Sequence, residues 1–253
     1  MTILELTLRR SNRYRHAFFR LLEMITMRLK IYRPRSEKEI EGEMMVNRHD
    51  WEEALREWTR ILVFDTETTG VDARNDYILS LSWQVLDNKL QKIEEQTRYF
   101  KNPLPEGQVR GALKVNSLTN KVLEKLGTTD KRQALEKFVA VIKSCDVLVG
   151  HNVWFDITVV KSECKREHVE FDDNFMCFDT MKDMQTFCLY YHKPRMRKWL
   201  KLKELTRMLG IDTTDIDWHK SASDVEATAR CLRDIIAKGL ATSPWKRSNN
   251  ENM

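Results

Sequence analysis

Hydrophobic and polar positions predict three consecutive strands in the first half of the chain. Ile61–Phe64 is an uninterrupted apolar run, typical of a strand that is buried on both faces. Tyr77–Leu86 is also apolar, and Leu90–Phe100 alternates loosely between apolar and polar residues. Asp87-Asn88-Lys89 between them suits a hairpin turn. The pattern therefore predicts an antiparallel meander.

After the meander, helical patterns alternate with a further strand. Asp146–Val149 is a short apolar run that ends at Gly150, and it predicts a buried strand. The predicted helices are Ser117–Leu126, Lys131–Lys143, Trp154–Arg166, Asp179–Tyr190, Leu200–Leu209 and Ala222–Lys238. A meander followed by alternating helices and strands predicts an α/β fold, a mixed sheet with helices on both faces.

The segment before the first strand has a different pattern. Arg13–Tyr32 is predicted to be a helix, because one apolar stripe repeats at intervals of three and four residues. Residues 34–50 are polar and suggest a linker, and Trp51–Trp58 suggests a short helix that leads into the first strand. We therefore predict a helical extension and linker over residues 1–57, a main domain over 58–240 and a polar tail over 241–253.

Charge is concentrated in the amino-terminal arm, defined here as residues 1–35. The chain has a net charge of +5, and the arm alone, with nine Arg and Lys against two Glu, carries +7. The arm could pack its apolar stripe on the main domain and leave the arginines in water. It could instead bind a partner helix, a nucleic-acid backbone or an anionic surface. An organelle-targeting peptide is less favoured, because Ser is not enriched.

Composition narrows the class of protein. The chain has 253 residues, 42% of them hydrophobic, and no apolar run approaches the ~20 residues that a membrane span needs. The five cysteines are scattered, without a Cys-x-x-Cys pair. Their odd number and the lack of a signal peptide indicate free thiols, a cytoplasmic location and no zinc site.

Two acids follow the first strand at alternate positions. Asp65 and Glu67 stand two residues apart, so on an extended chain their carboxylates face the same side. Two like charges this close repel each other unless a cation lies between them. A strand that ends in solvated acids is the simpler interpretation of so short a motif.

Further polar residues lie at positions where α/β sheets usually form their functional sites. Asp156 lies just inside the helix after the Asp146–Val149 strand, and sites gather near the carboxyl ends of such strands. His219 precedes Asp224 by five residues, so a loop and the first turn of a helix can bring them to one point. Taken singly, Asp224 could be a favourable acid at a helix N-terminus and His219 a loop residue.

Four carboxylates with an imidazole suit a two-metal phosphodiesterase. Two ions roughly 3.5–4 Å apart can clamp the attacking and leaving oxygens of an in-line displacement. Oxygen ligands select Mg²⁺ or Mn²⁺. A free imidazole has a pKa near 6.5 and can take a proton from water, and His219 could supply this group.

Three motifs resemble the DEDDh branch of the DnaQ-like 3′–5′ exonucleases, which includes proofreading subunits, ribonuclease T and oligoribonuclease. The resemblance covers residues 60–238, and the motifs agree in order and spacing. They are Phe64-Asp65-Thr66-Glu67-Thr68-Thr69-Gly70, Gly150-His151-Asn152 through Phe155-Asp156, and His219 through Asp224. The resemblance implies a ribonuclease H-like fold, a mixed five-stranded sheet with helices on both faces. It also implies that the main domain, residues 58–240, is a 3′–5′ exonuclease domain.

The resemblance also implies roles for individual residues. Asp65, Glu67 and Asp224 would hold the more tightly bound of two Mg²⁺ or Mn²⁺ ions, with Asp65 bridging both. Asp156 would support the second ion, and His219 would be the general base. Thr66 and Thr68 would lie against the terminal nucleotide. The loop that contains Asn116 resembles the family's loop near the substrate end.

A basic and aromatic stretch, Tyr190–Trp199, provides a second candidate contact with substrate. Arg195, Arg197 and Lys198 could neutralise a strand's phosphates while the aromatic residues stack on its bases. A solvated loop is the alternative.

The sequence thus predicts a metal-dependent exonuclease that acts on the 3′ ends of single strands, with DNA favoured, and releases nucleoside 5′-monophosphates. Short RNA is an alternative substrate. A catalytically idle module that binds nucleic acid or a polymerase is another alternative, against which the presence of all four acids and the His argues. No polymerase or helicase region is present, so a role in replication would need a polymerase or other protein partner, with the arm as its candidate contact.

Overall fold

The computed structural model describes residues 37–102, 118–184 and 199–241. The chain divides into two compact units, residues 1–41 and 42–253. In the first unit the described residues, 37–41, are helical. The packing and the site below belong to the second unit. No helix in the described ranges has the length and apolar character to cross a membrane.

A six-stranded mixed sheet forms the centre of the second unit. Its order is β4-β3-β2-β1-β5-β6. β1, β2 and β3 are antiparallel neighbours, as the meander pattern predicts, whereas β5 and β6 run parallel to β1. The strands are β1 (Ile61–Thr68), β2 (Ile78–Leu86), β3 (Lys92–Phe100), β4 (Gly127–Thr128), β5 (Val147–Gly150) and β6 (Met176–Asp179).

The predicted fold class, an α/β fold with a mixed sheet, is confirmed. The sheet has six strands rather than five because the two residues of β4 pair in parallel with Tyr99 and Phe100 at the end of β3. The predicted helix start at Asp179 is wrong, because Asp179 pairs with Gly150 as the last residue of β6. β6 has only four residues, and so short a segment shows too little periodicity to distinguish a strand from a helix.

Six helices lie within the described residues. They are α1 (Glu37–Glu57), α2 (Asn120–Leu126), α3 (Lys131–Lys143), α4 (Val153–Arg166), α5 (Leu202–Leu209) and α6 (Ser221–Lys238). α1 corrects the predicted linker at 34–50 over its described part, because residues 37–50 are helical. The Asn47 side-chain amide donates to the Gly239 carbonyl at 2.9 Å, and the Trp51 indole donates to the Ala241 carbonyl at 2.8 Å. These contacts with the end of the domain hold a polar segment in a helix.

The two faces of the sheet carry separate hydrophobic clusters. Ile61 and Val63 of β1 face α6, where they pack with residues such as Leu232. Leu62 and Phe64 face α3 and α4 in the other cluster. Because strand residues alternate between faces, the residues that continue β1 alternate as well. Asp65 and Glu67 therefore lie on the α6 side, and Thr66 and Thr68 lie on the α4 side.

The predicted helix at Arg13–Tyr32 and the predicted tail beyond residue 241 lie outside the described residues. So do the stretch at residues 190–198 and the loop around Asn116. The predicted domain boundaries at 57/58 and 240/241 stay predictions.

Candidate active site

β1 brings two carboxylates to one side of the sheet. Asp65 pairs with Ser82 and Glu67 with Ser80 on β2, so both acids lie within a regular antiparallel ladder. The ladder register shifts only after Glu67. Both side chains keep some contact with solvent, whereas the rest of β1 is buried. The strand thus fixes the two acids side by side at a partly open edge.

The first turn of α6 supplies the third carboxylate. Asp224 lies there, where the helix dipole favours a negative charge. His219, just before the helix, has a left-handed backbone with φ of 65°. The Asp224 backbone N–H donates to the carbonyl of Lys220, the residue after His219, at 3.0 Å. This bond joins the loop at His219 to the helical turn that carries Asp224.

Asp65, Glu67 and Asp224 form one group, called the acidic group below. They offer one ligand oxygen each, and these oxygens lie within 4.8 Å of one another. Asp224 Oδ1 is buried and lacks a hydrogen-bond partner among the described residues. An unpaired buried carboxylate oxygen beside two further carboxylates fits the all-oxygen ligand set of a hard divalent cation. The donor set therefore suits Mg²⁺ or Mn²⁺.

Burial and mutual repulsion make the group reluctant to ionise. Burial raises the pKa of Asp65 well above its ordinary range, and the charges of Asp156, Asp224 and Glu67 raise it further. Burial also raises the pKa of Asp224 to about 6, although the His219 backbone N–H opposes this shift. A divalent cation would reverse both effects by favouring the charged form.

Asp156 lies on the other side of β1 from the acidic group. It belongs to the first turn of α4 and is buried. One of its oxygens accepts hydrogen bonds from the Thr66 backbone N–H at 3.0 Å and from the Thr66 hydroxyl at 2.6 Å. Burial raises the pKa of Asp156 to about 7, while these hydrogen bonds lower it. Its charge acts on Asp65, so the fourth acid borders the group of three without joining it.

Asp179, at the end of β6, is a residue that the sequence reasoning missed. It is buried, and Oδ1 accepts from the backbone N–H groups of Asn152 at 2.9 Å and Met181 at 3.0 Å. Asn152 has φ of 70° immediately before α4, the helix that carries Asp156. Asp179 thus holds the turn that positions Asp156. In the sequence, an acid that directly follows the apolar Phe178 is the feature that could have indicated a functional residue at the end of a strand.

Both ring nitrogens of His151, in the second motif, have hydrogen-bond partners within the protein. Nδ1 lies 3.0 Å from the Thr180 hydroxyl, and Nε2 lies 2.9 Å from the Leu200 carbonyl. Burial lowers the pKa of His151. The ring therefore ties the end of β5 to the segment that leads into α5.

Three serine hydroxyls join α6 to β2 beneath the acidic group. The Ser221 hydroxyl lies 2.8 Å from the hydroxyls of both Ser80 and Ser82, and all three residues are buried. Ser82 also lies 2.8 Å from the Thr97 hydroxyl on β3. This serine bridge secures the first turn of α6, which carries Asp224.

The Thr-Gly end of the first motif forms a tight turn. The Thr68 hydroxyl donates to the Gly70 carbonyl at 2.5 Å, and the Thr69 hydroxyl donates to Asp76 at 2.8 Å. A Cβ on Gly70 would lie 2.5 Å from Asp76 Oδ2. Any residue but glycine would therefore displace a carboxylate that the turn uses.

The remaining sequence-predicted residues divide into two sets. Thr66 and Thr68 lie beside the acids with their hydroxyls engaged as described, and His219 is exposed next to Asp224. Their contact with a nucleotide and the role of His219 as a base stay predictions. Four predicted substrate residues lie outside the described ranges: Asn116, Arg195, Arg197 and Lys198.

Comparison with known proteins identifies a family and a fold. The exonuclease family model RNase_T matches residues 62–232. A PolC-type DNA polymerase III from Mycoplasma genitalium is 25% identical over 169 residues, which cover 66% of this chain and 11% of the polymerase. A DNA polymerase III epsilon subunit from Treponema pallidum is 30% identical over 122 residues, 47% of this chain and 54% of the subunit.

Solved structures share the fold. Escherichia coli exonuclease I in complex with a dA16 oligonucleotide has a TM-score of 0.54 and 20% identity, over 71% of this chain and 41% of that protein. The chain spans about a tenth of the PolC-type polymerases that it matches. The match of the family model to well over half of the chain shows that the protein belongs to the exonuclease family, as a nuclease of the DnaQ-like group within the ribonuclease H-like superfamily.

Proposed function

We propose that this nuclease is a metal-dependent 3′–5′ exonuclease that removes nucleoside 5′-monophosphates from the 3′ end of single-stranded nucleic acid, with DNA preferred. The acidic group is the observation that carries the proposal, because three carboxylate oxygens within 4.8 Å are costly to ionise together without a cation. Family membership supplies the reaction class, and the residue pattern of the DEDDh branch supplies the polarity.

Asp65, Glu67 and Asp224 hold the first of two divalent ions, Mg²⁺ or Mn²⁺, in this proposal. Bound ions neutralise the charge that develops on the phosphate and orient the attacking and leaving oxygens. Asp65 would serve both ions, as the family resemblance implies, and the charges of the other three acids raise its pKa. Asp156, held by the Thr66 N–H and hydroxyl, supports the second ion from the far side of β1.

His219 takes the proton from the attacking water. His219 is exposed, so water and a strand end can reach it, and the next residue, Lys220, accepts a hydrogen bond from the Asp224 backbone N–H. Proton removal by a positioned imidazole contributes roughly 10²–10⁴-fold to a rate. The left-handed backbone at His219 is consistent with a strained functional position.

The preference for DNA rests on the relatives. The similar proteins are DNA polymerase III chains, and exonuclease I has been solved with dA16 and dT13 oligonucleotides. By the same argument, a polymerase is the proposed protein partner, with the arm as its candidate contact. Action on short RNA is the alternative that a direct comparison of substrates decides.

The proposal is tested by digesting one sequence as single-stranded DNA, duplex DNA and RNA, with Mg²⁺ or Mn²⁺. Each strand carries a label on its 5′ end in one series and on its 3′ end in another. We expect a ladder of shortened 5′-labelled single-stranded DNA and immediate release of the 3′ label as mononucleotide. Asp65→Asn should abolish both.

Other product patterns would contradict the proposal in distinct ways. Release of the 5′ label first would reverse the polarity, and faster loss of RNA would replace DNA as the substrate. If no polymer were cleaved with either metal while the single strand still bound, the idle binding module would be the correct interpretation.

A further inference from the structure

Two tryptophans stand apart from the others in the described residues. Trp51, Trp58 and Trp83 are buried, and Trp154 packs on the cluster beneath α3 and α4. Trp199 is 46% exposed, whereas Trp218 is half-buried, and neither belongs to a hydrophobic cluster. Each of the two therefore leaves part of an aromatic side chain available for contact with a ligand.

Trp218 lies at the edge of the acidic group. It directly precedes His219 and lies two residues before Lys220, whose carbonyl accepts a hydrogen bond from the Asp224 backbone N–H at 3.0 Å. Consecutive Cα atoms are about 3.8 Å apart, so Trp218 lies within the span of two residues from the turn that carries Asp224. A strand end held at the acids is therefore within reach of this residue.

A cation accompanies the ring. The Lys203 ammonium lies over the Trp218 ring, 5.7 Å from its centroid, which is within the range of a cation–π contact. Lys203 belongs to the first turn of α5 and is exposed. An aromatic face with a lysine beside it offers both features by which proteins hold a single strand, namely stacking on a base and neutralisation of the adjoining phosphate.

We infer that Trp218 and Lys203 form a nucleotide subsite beside the acidic group, in which Trp218 stacks on one base and Lys203 binds its phosphate. The inference rests on the proposed function for its ligand, a single strand. It assigns residues that none of the three exonuclease motifs requires. Stacking tolerates every base, so the subsite adds affinity without sequence preference.

Measurements of KM and kcat distinguish residues of this subsite from catalytic residues. Since Trp218 and Lys203 bind the strand equally in the ground and transition states, their loss should raise KM and leave kcat nearly unchanged. Trp218→Ala should raise KM about tenfold, and Trp218→Phe, which keeps a stacking ring, about two- to threefold. Lys203→Ala should raise KM and lower the salt slope of binding by about one. Lys137→Ala, an exposed lysine on α3, is the matched control and should behave as wild type.

An abasic site moved along the oligonucleotide tests the stack directly. At one position it should weaken binding to wild type about tenfold and leave binding to Trp218→Ala unchanged, because the stack is already lost. Binding is measured by anisotropy of a labelled oligonucleotide with EDTA present, so that it is read without cleavage.

The outcomes distinguish this inference from the proposed function. If wild type cleaves but Trp218→Ala and Lys203→Ala match the Lys137→Ala control, the subsite is overturned and the exonuclease stands. If nothing is cleaved but both variants bind the strand more weakly, the subsite stands and the exonuclease fails. Should Trp218→Ala unfold, Lys203→Ala and Trp218→Phe decide, since neither removes buried core.

Discussion

Asp65, Glu67 and Asp224 are brought together by a strand and a helix, and one oxygen of each lies within 4.8 Å of the others. β1 fixes two of them through its ladder with β2, and the first turn of α6 fixes the third. Burial raises the pKa of both Asp65 and Asp224, and the charges of the neighbouring acids raise that of Asp65 further. The same arrangement of three carboxylate oxygens suits a divalent cation.

The roles of His219 and Asp224 are separable by substitution. His219→Ala should lower turnover roughly 10²–10⁴-fold through loss of proton transfer, while Mn²⁺ affinity stays near that of wild type. Asp224→Asn, which keeps the shape of the side chain, should lower both turnover and Mn²⁺ affinity. Calorimetric Mn²⁺ titrations and single-turnover assays on both variants provide the comparison. Full activity in His219→Ala would remove the imidazole from the mechanism.

Buried polar contacts, as well as apolar packing, position the helices and strands that carry the acids. The serine bridge of Ser80, Ser82 and Ser221 lies between β2 and the start of α6. Hydroxyls in a buried interface require partners, so each one restricts how α6 can shift along the sheet. Asp224 follows Ser221 by almost one helical turn and depends on that restriction.

Removal of the Ser221 hydroxyl should therefore destabilise the fold. Ser221→Ala leaves buried Ser80 without this partner, and we expect the free energy of unfolding to fall by about 1–2 kcal/mol. Ser223→Ala, two residues along α6 and half-buried, is the control and should change it by less than about 0.5 kcal/mol. Urea unfolding measures both. Equal effects of the two substitutions would show that the bridge contributes nothing specific.

Local sequence patterns predict the elements that position the acidic group, but not every contact that completes the site. The apolar runs at Ile61–Phe64 and Asp146–Val149 are strong local signals of buried strands. Because side chains two residues apart on a strand lie on the same face, the pattern also places Asp65 and Glu67 together. The polar pattern at 34–50 predicts a linker where α1 forms, because Asn47 and Trp51 have their hydrogen-bond partners near residue 240. The hydrogen bonds from Thr66 to Asp156 and the turn held by Asp179 likewise join residues far apart in sequence.

At the scale of the whole molecule, the buried carboxyls couple folding to pH. The pKa of Asp224 is raised to about 6 in the folded protein and lies near ~3.9 in an unfolded chain. The folded state therefore binds more protons between these values, and the free energy of unfolding should fall as the pH rises through this window.

This dependence should weaken when Asp224 loses its charge. In EDTA, wild type should lose on the order of 3 kcal/mol of stability from this group between about pH 4 and pH 7, and Asp224→Asn should lose correspondingly less. Urea unfolding at the two pH values measures the difference. A wild type that becomes more stable over this range, with no change in slope in Asp224→Asn, would contradict the assigned pKa.

Charge is also divided unevenly across the molecule, since the arm carries +7 and the rest of the chain −2. If the arm binds phosphates, deletion of residues 1–35 should flatten the salt dependence of binding to DNA and leave turnover at saturating substrate intact. Binding is measured between about 50 and 200 mM salt. Loss of turnover at saturation in a truncation that still folds would place the arm in the catalytic machinery.

The central claim is that the acidic group is the metal-dependent centre of a nuclease. Its most direct test is turnover of single-stranded DNA as a function of Mn²⁺ concentration, for wild type and Glu67→Gln, each starting from protein stripped with EDTA. Wild type should be inactive without metal and recover in a saturable manner, and Glu67→Gln should need at least tenfold more Mn²⁺. Cleavage by the stripped wild type, or one Mn²⁺ dependence shared by both proteins, would contradict the claim.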